Sequence, residues 1–345
     1  MDIIGKKILI TGASGSLGRQ LIYEFQRLGM KPVAHLRETS ETAYIDSLNL
    51  EKRYADLRNK DEIANLVEGI DAVIHTAAWV NFRKDRLTQF TGINTFGAVD
   101  LFQAARKAGV QRFVHVSTVA AIGALSRKSR RRQDHLFATE DDEFNLGHLN
   151  IPYVLTKHAA EKELRSLAGE GGTELVIVNP SIIIAPSRTG DDRGKALKKF
   201  SRFLIPEFPN RVNLVDIRDV APGIIAALKR GRAGQRYILA GDNITIRDLI
   251  LSISVALGRS PHLVRMPRPF LDFLARASLW VAKLTGQGKI SFYPDLVRMV
   301  DYDWAYSSRK ARAELGYKNR SIHTSLNELL ENDFTGTYLK PREDD

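Results

Sequence analysis

The sequence predicts an α/β fold: a doubly wound parallel sheet with helices on both faces, followed by a smaller, discontinuous C-terminal region. Three observations carry that expectation. Apolar runs of strand length alternate with amphipathic stretches of helical period through the first half of the chain. A glycine-spaced turn joins the first strand to the first helix. After Pro180 the alternation loses its regularity, and Pro186, Pro206 and Pro209 mark loops.

Taken in order, residues 7–10 form a short apolar run, and residues 17–28 carry Leu17, Leu21, Ile22, Phe25 and Leu28 at helical spacing. Between them, Thr11-Gly12-Ala13-Ser14-Gly15-Ser16-Leu17-Gly18 must turn sharply. Gly12, Gly15 and Gly18 relieve the sterics of that turn, admit backbone N–H groups to a pyrophosphate and let the helix pack closely on the sheet. The helix N-terminus supplies the partial positive charge an anion prefers. Strands at 32–36, 72–75 and 112–117 then alternate with helices at 60–67 and 95–108. A polar interruption at 124–150 precedes a helix bearing Tyr153-Val154-Leu155-Thr156-Lys157, and 174–178 supplies a further strand.

With 345 residues, 43% of them apolar, the chain can bury a large core in one big domain or two modest ones. It has no cysteine, which excludes disulfides and thiolate chemistry and fits a reducing compartment. A core strand begins almost at once, without a secretory pattern, and no apolar stretch reaches the ~18 residues of a membrane span. A cytoplasmic protein is therefore expected. Of the formal charge of +11, Arg127, Lys128, Arg130, Arg131 and Arg132 supply five within six residues. That run reads as a solvated loop; its alternative is an anion contact with a phosphorylated or coenzyme-A-type substrate or with acidic lipid headgroups. Nucleic acid is not expected, because no recognition helix or aromatic stacking platform accompanies the charges. The apolar segment 270–284 reads as a lid or dimer contact, the alternative being a peripheral membrane-surface helix with Trp280 at the interface.

The glycine turn and the Tyr-Lys pair are joined, in order, by Asp56-Leu57, His75-Thr76-Ala77-Ala78, Asn94, Val116-Ser117-Thr118, Asn179-Pro180-Ser181, Val215 to Ala221 and Ser308 to Tyr317. Together these resemble the extended short-chain dehydrogenase/reductases of the NAD-dependent epimerase/dehydratase superfamily. They are most similar to its dihydroflavonol-reductase-like and 3β-hydroxysteroid-dehydrogenase-like branch, over nearly the whole length. The resemblance implies a Rossmann NADP-binding domain at 1–178, rejoined by about 212–240, with 212–215 returning a strand to the main sheet. Residues 179–345 are then mainly substrate-binding.

The residue ending the second strand discriminates the cofactor: a carboxylate accepts from the ribose of NAD, whereas an arginine pairs with the 2′-phosphate of NADP. Arg37 stands there, where the resemblance places an NADP-reading arginine, with Thr39 and Ser40 as further donors. NADP(H) is therefore expected. Gly12, Ser14, Gly15, Ser16, Leu17 and Gly18 are expected around the phosphates. The resemblance implies Asp56 and Leu57 at the adenine, Ala77 and Ala78 against the cofactor, and Asn179, Pro180 and Ser181 on the nicotinamide side. Asn94 is expected to order the sheet and its helix.

Tyr153 is the candidate acid/base. A free phenol titrates near a pKa of about 10, and Lys157, on the same helix face, is expected to lower it by about 3 units. The resemblance implies that both residues also touch the cofactor and that Thr118, aligned with the family's catalytic serine, hydrogen-bonds the substrate oxygen. Ser117 is the less favoured neighbour. Trp79, Thr118 and Tyr153 are the candidate substrate contacts, and Phe82 suits a bulky one. His35, His75 and His115 read as strand residues, no cluster has metal-ligand spacing, and no metal is expected.

The implied activity is reduction of a ketone, or oxidation of a secondary alcohol, on a bulky, partly hydrophobic flavonoid-, sterol- or lipid-like small molecule. The alternatives are a nucleotide-sugar epimerase with bound NAD, which Arg37 argues against, and a non-catalytic NADP-sensing protein, which the intact Tyr153 and Lys157 argue against. A sugar dehydratase needs acids after the Ser/Thr, where Val119 and Ala120 stand. A homodimer through the Tyr153 helix and the 95–108 helix is also implied by the family.

Overall fold

The structure is a computed structural model that describes residues 1–80, 87–126, 136–169, 172–185, 205–206, 210–256, 263–264, 267, 269–271, 273–274, 276–277 and 298–331. The first half runs β1 (Ile8–Thr11), α1 (Ser16–Arg27), β2 (Val33–Leu36), α2 (Ala43–Asp46), β3 (Lys52–Tyr54), α3 (Lys60–Leu66), β4 (Ala72–His75), α4 (Leu87–Phe90), a π-helical turn (Thr91–Phe96), α5 (Gly97–Lys107) and β5 (Arg112–Val116). There follow β6 (Leu125–Ser126), α6 (Pro152–Leu167), β7 (Glu174–Pro180), β8 (Ile182–Ile184), β9 (Ile205–Pro206), β10 (Arg211–Asp216), α7 (Ile217–Arg230), β11 (Arg236–Leu239), β12 (Asp242–Thr245), α8 (Ile246–Ala256), β13 (Leu263–Val264), β14 (Tyr302–Asp303), α9 (Arg309–Leu315) and α10 (Ile322–Glu331).

Seven strands pair in parallel in the order β3-β2-β1-β4-β5-β7-β11. The order reverses between β1 and β4, so a crevice opens beyond their carboxyl ends. Alternate side chains supply two cores. Ile8, Ile10 and Val114 meet Leu21 and Phe25 of α1 and Ile224 and Leu228 of α7. Leu9, Val73 and Phe113 meet Ile63 of α3, Leu101 and Phe102 of α5 and Leu164 of α6 on the other face.

Phe102 stands edge-on to Phe113, with ring centroids 5.2 Å apart, and both are fully buried. Phe102→Ala is expected to destabilise the protein by about 3–5 kcal/mol, through lost transfer energy and the cavity left behind. Urea denaturation reads this directly. A loss below about 1 kcal/mol would mean that α5 is not docked on β5 by this contact.

The structure corrects one expectation about the sheet. Residues 212–215 lie in β10, which pairs with β8 and β12 in a separate three-stranded sheet. The last strand of the main sheet is β11, paired with β7. Two short apolar runs compete for that edge and both are largely buried, but it is Arg236 to Leu239 that pair with β7 there. The small sheet packs through Leu214 and Ile244 on Ile253 of α8 and on Ile322 and Leu326 of α10. Strand β3 also lacks an apolar signature, because Lys52, Arg53 and Tyr54 form the partly exposed edge.

Two of the late motifs are clasps. Asp216 caps α7 by accepting from the Arg218 N–H at 2.8 Å, and Asp219 accepts from Arg320 N and Nε at 2.7 and 2.8 Å. Helix α9 ends at Gly316, with φ of +66°, which turns Tyr317 onto Gly223 of α7, where a Cβ would lie 2.9 Å from the ring. Among the described residues, no helix is long and apolar enough to cross a membrane, and no group of three His, Asp or Glu side chains is placed to hold a metal ion. Phe82, the basic run at 127–132 and most of 270–284 lie outside the described residues.

Candidate active site

The chain leaves β1 at Thr11 and turns through Gly12, whose φ of +68° suits glycine. A Cβ on Gly12 would lie 2.9 Å from Ala77 Cα, and one on Gly18 would lie 2.3 Å from the Gly12 carbonyl oxygen. These two positions therefore exclude any side chain. Gly15 caps α1 without a side-chain hydrogen bond, and no acidic residue occupies the first turn, so the helix N-terminus keeps its positive end. It faces a cleft of about 460 Å³ at the switch point. Gly12, Ser14, Gly15, Ser16, Leu17 and Gly18 line one wall, and Arg37, Asp56, Leu57, Ala77, Ala78 and Trp79 the others.

Each wall residue has its own anchor. The Arg37 N–H donates to Ser40 Oγ at 2.9 Å, while its exposed guanidinium makes no ion pair with a described residue. Asp56 accepts from Arg58 Nε at 2.9 and 3.0 Å, and that guanidinium holds its carboxyl below the usual range. The Ala77 N–H donates to Thr11 Oγ1 at 3.2 Å. Asn94, in the π-helical turn, accepts from the Trp79 N–H at 2.7 Å and donates through Nδ2 to the Trp79 carbonyl at 3.1 Å and to Thr156 Oγ1 at 3.2 Å. It therefore ties the cleft wall to α6.

Pro152 opens α6, where its missing N–H leaves nothing unsatisfied, and sets Tyr153 in the first turn with Lys157 one turn on. Thr118 stands close enough to Tyr153 to act on its phenol, and its Oγ1 accepts from the Ala120 N–H at 3.3 Å. Lys157 is 2% exposed; its Nζ donates to the Val116 carbonyl at 2.7 Å and stands 3.4 Å from His115 Nε2. The three candidate catalytic residues thus gather at the carboxyl end of β5.

Burial pushes Tyr153 up to about 12, with neighbouring Thr118 pulling the other way. This corrects the expectation of a phenol lowered by Lys157. The ammonium directs its hydrogen bonds to the sheet rather than to the phenol, so desolvation dominates. Burial also brings Lys157 down to about 8, opposed by the Glu161 carboxylate.

Asn179 is fully buried, and its Nδ2 donates to the Thr118 carbonyl at 3.0 Å and to Glu161 Oε1 at 2.5 Å. Pro180 and Ser181 follow it, buried, at the end of β7. Asn179 Oδ1 and the hydroxyls of Ser117 and Ser181 are buried without a hydrogen-bond partner.

The NAD dependent epimerase/dehydratase family model matches residues 8–240. The chain belongs to this family. It is 29% identical over 321 residues to "Sterol demethylase protein B" of Methylococcus capsulatus, covering 89% of this chain and 92% of that protein. It is 30% identical over 327 residues to a "Putative dihydroflavonol 4-reductase" of Synechocystis sp., covering 92% of this chain and 91% of that protein. The crystal structure of gox2253 superposes with a TM-score of 0.77 at 29% identity, covering 94% of this chain and 97% of that one. These relatives accord with the extended short-chain dehydrogenase/reductase resemblance.

In this family member the cleft also takes in His35, Leu36, Val80 and Ile93, which the motifs did not name, and Thr76, which they named without a role. Ile93 has no local signal, because the π-helical turn reorients it. Glu161, 3% exposed and 3.7 Å from Arg236, was likewise missed. Its spacing of four from Lys157 on α6 is the signal that could have found it.

Proposed function

We propose that this chain is an NADP(H)-dependent oxidoreductase that interconverts a ketone and a secondary alcohol on a bulky, partly hydrophobic substrate. The observation that carries this reading is the gathering of Thr118, Tyr153 and Lys157 at the end of β5, beside the strand that walls the dinucleotide cleft. Two neighbouring hydroxyls let one side chain hold a carbonyl oxygen while the other transfers a proton to it. A bound nicotinamide supplies or takes the hydride. The residues fit such a dinucleotide: Gly12 and Gly18 leave space no Cβ can share, α1 offers open N–H groups to a pyrophosphate, and Ser117, Ser181 and Asn179 hold buried polar atoms in want of partners.

Arg37 supports NADP over NAD, since an exposed guanidinium that makes no ion pair among the described residues, at the end of β2, is available to a 2′-phosphate. Fluorescence titration of the coenzyme-free protein is expected to show NADPH binding about ten- to a hundredfold more tightly than NADH. Arg37→Asp is expected to erase that difference by weakening NADPH alone. Equal binding of both by the wild type would withdraw the NADP assignment and favour an epimerase with bound NAD. Two relatives carry the names of a sterol and a dihydroflavonol enzyme, which supports a bulky ring-containing substrate. In this reading residues 1–178, with β11 completing their sheet, form the coenzyme-binding unit, and the remainder of 179–345 mainly binds substrate.

A further inference from the structure

The pairing register aligns Thr11 with His75 and His75 with His115 across β1, β4 and β5. Registered positions on neighbouring parallel strands share a face, so the three side chains form one row. Thr11 Oγ1 lies 2.8 Å from His75 Nδ1, and the His75 and His115 rings stack at 5.4 Å with 27° between their planes. His115 Nε2 stands 3.4 Å from Lys157 Nζ. The row is buried throughout and runs from the Ala77 anchor to the lysine.

Hydrogen-bond bookkeeping assigns the His115 proton. Thr11 Oγ1 accepts from the Ala77 N–H and, with a second lone pair and one hydrogen, can serve His75 Nδ1 as acceptor or donor. An ammonium has no acceptor, so His115 Nε2 accepts from Lys157 and the ring is protonated on Nδ1. Neither His75 Nε2 nor His115 Nδ1 has a partner. The row therefore lacks the continuous bonds of a proton wire, and it carries an unsatisfied His115 Nδ1–H that an apolar filling would avoid. Desolvation and the lysine charge keep both imidazoles neutral, well below their ordinary titration range.

We propose that His115 is a positioning residue for Lys157: its Nε2, with the Val116 carbonyl, seats the ammonium on the sheet side, and His75 and Thr11 brace the ring from behind. This rests on the reading of Lys157 as part of the catalytic set. The other ionisable groups bearing on the lysine are Glu161 on α6, itself paired with Arg236 of β11, and His75 of β4 behind His115.

The test is NMR of the unliganded protein, with ¹³C-labelled lysine, the Lys157 signal being assigned through Lys157→Met. His115→Phe keeps a ring but removes the acceptor, and is expected to lower the Lys157 midpoint by about half to one pH unit. His115→Gln, which keeps an acceptor, is expected to restore most of it, and the high-pH limb of kcat is expected to move with the midpoint in both variants. An unchanged midpoint in a folded His115→Phe protein overturns the proposal. Should that variant not fold, ¹⁵N-histidine spectra of the wild type decide: the Nδ1–H tautomer at His115 is expected, and the Nε2–H tautomer, which cannot accept from an ammonium, overturns it. Failure of the catalytic reading would show separately, as retained turnover in Tyr153→Phe with these spectra unaffected.

Discussion

Tyr153→Phe is expected to lower turnover about 10²- to 10⁴-fold while leaving coenzyme affinity within about twofold, because it deletes one hydroxyl and keeps the ring. Coenzyme affinity is spared because the cleft is built on α1, β2 and β4, while Tyr153 is delivered from α6. The titration of the phenol also sets a direction. Pushed up to about 12, it stays protonated through the neutral range and is poised to donate to a developing alkoxide. Oxidation of the alcohol needs the phenolate instead, so its rate is expected to rise with pH in the wild type, and Tyr153→Phe should abolish that rise. Steady-state kcat in both directions against pH, with fluorescence titration of coenzyme, reads all of this. A variant within about threefold of wild-type turnover would remove Tyr153 from the proton transfer.

Lys157→Met is expected to act in opposite senses on activity and stability. The lysine titrates near 8 in the folded chain against 10.5 when free, so between those values the unfolded chain binds more protons and stability rises with pH. Below about 8 the burden of the buried ammonium is complete, on the order of 3 kcal/mol. Methionine fills similar space without a charge. The variant should therefore be about 1–3 kcal/mol more stable at pH 7, with the gain fading as pH rises through the window from 8 to 10.5. Its turnover should fall, and the loss of wild-type reduction above about pH 8, where the ammonium deprotonates, should vanish with it. Urea denaturation at neutral and alkaline pH measures the first effect and a kcat profile the second. A variant less stable than the wild type at pH 7 would show that the ammonium's sheet-side bonds outweigh its desolvation.

Much of the first half was legible because its signals are local. Residues 72–75 were marked by an apolar run bounded by polar residues, and β4 occupies the same span. The glycine spacing pointed to close backbone approach, and the distances at Gly12 and Gly18 supply the reason for it. Edge strand β3, by contrast, is polar and half-exposed and leaves no apolar trace. The assignment of 212–215 failed because two short apolar runs look alike in sequence, and only pairing with β7 distinguishes β11 from β10.

The sequence by itself determined the alternation of strands and helices, the dinucleotide turn, the arginine after the second strand and the family to which the chain belongs. Each of these depends on residue types at short spacing, where backbone sterics and helical or strand period act within a few residues. Only the tertiary structure decided that the Lys157 ammonium turns to Val116 and His115, that Tyr153 is pushed up rather than down, and that Glu161 reaches Asn179. Desolvation depends on everything packed around a group, and these hydrogen-bond partners come from strands distant in sequence that meet only once the parallel sheet has set their register.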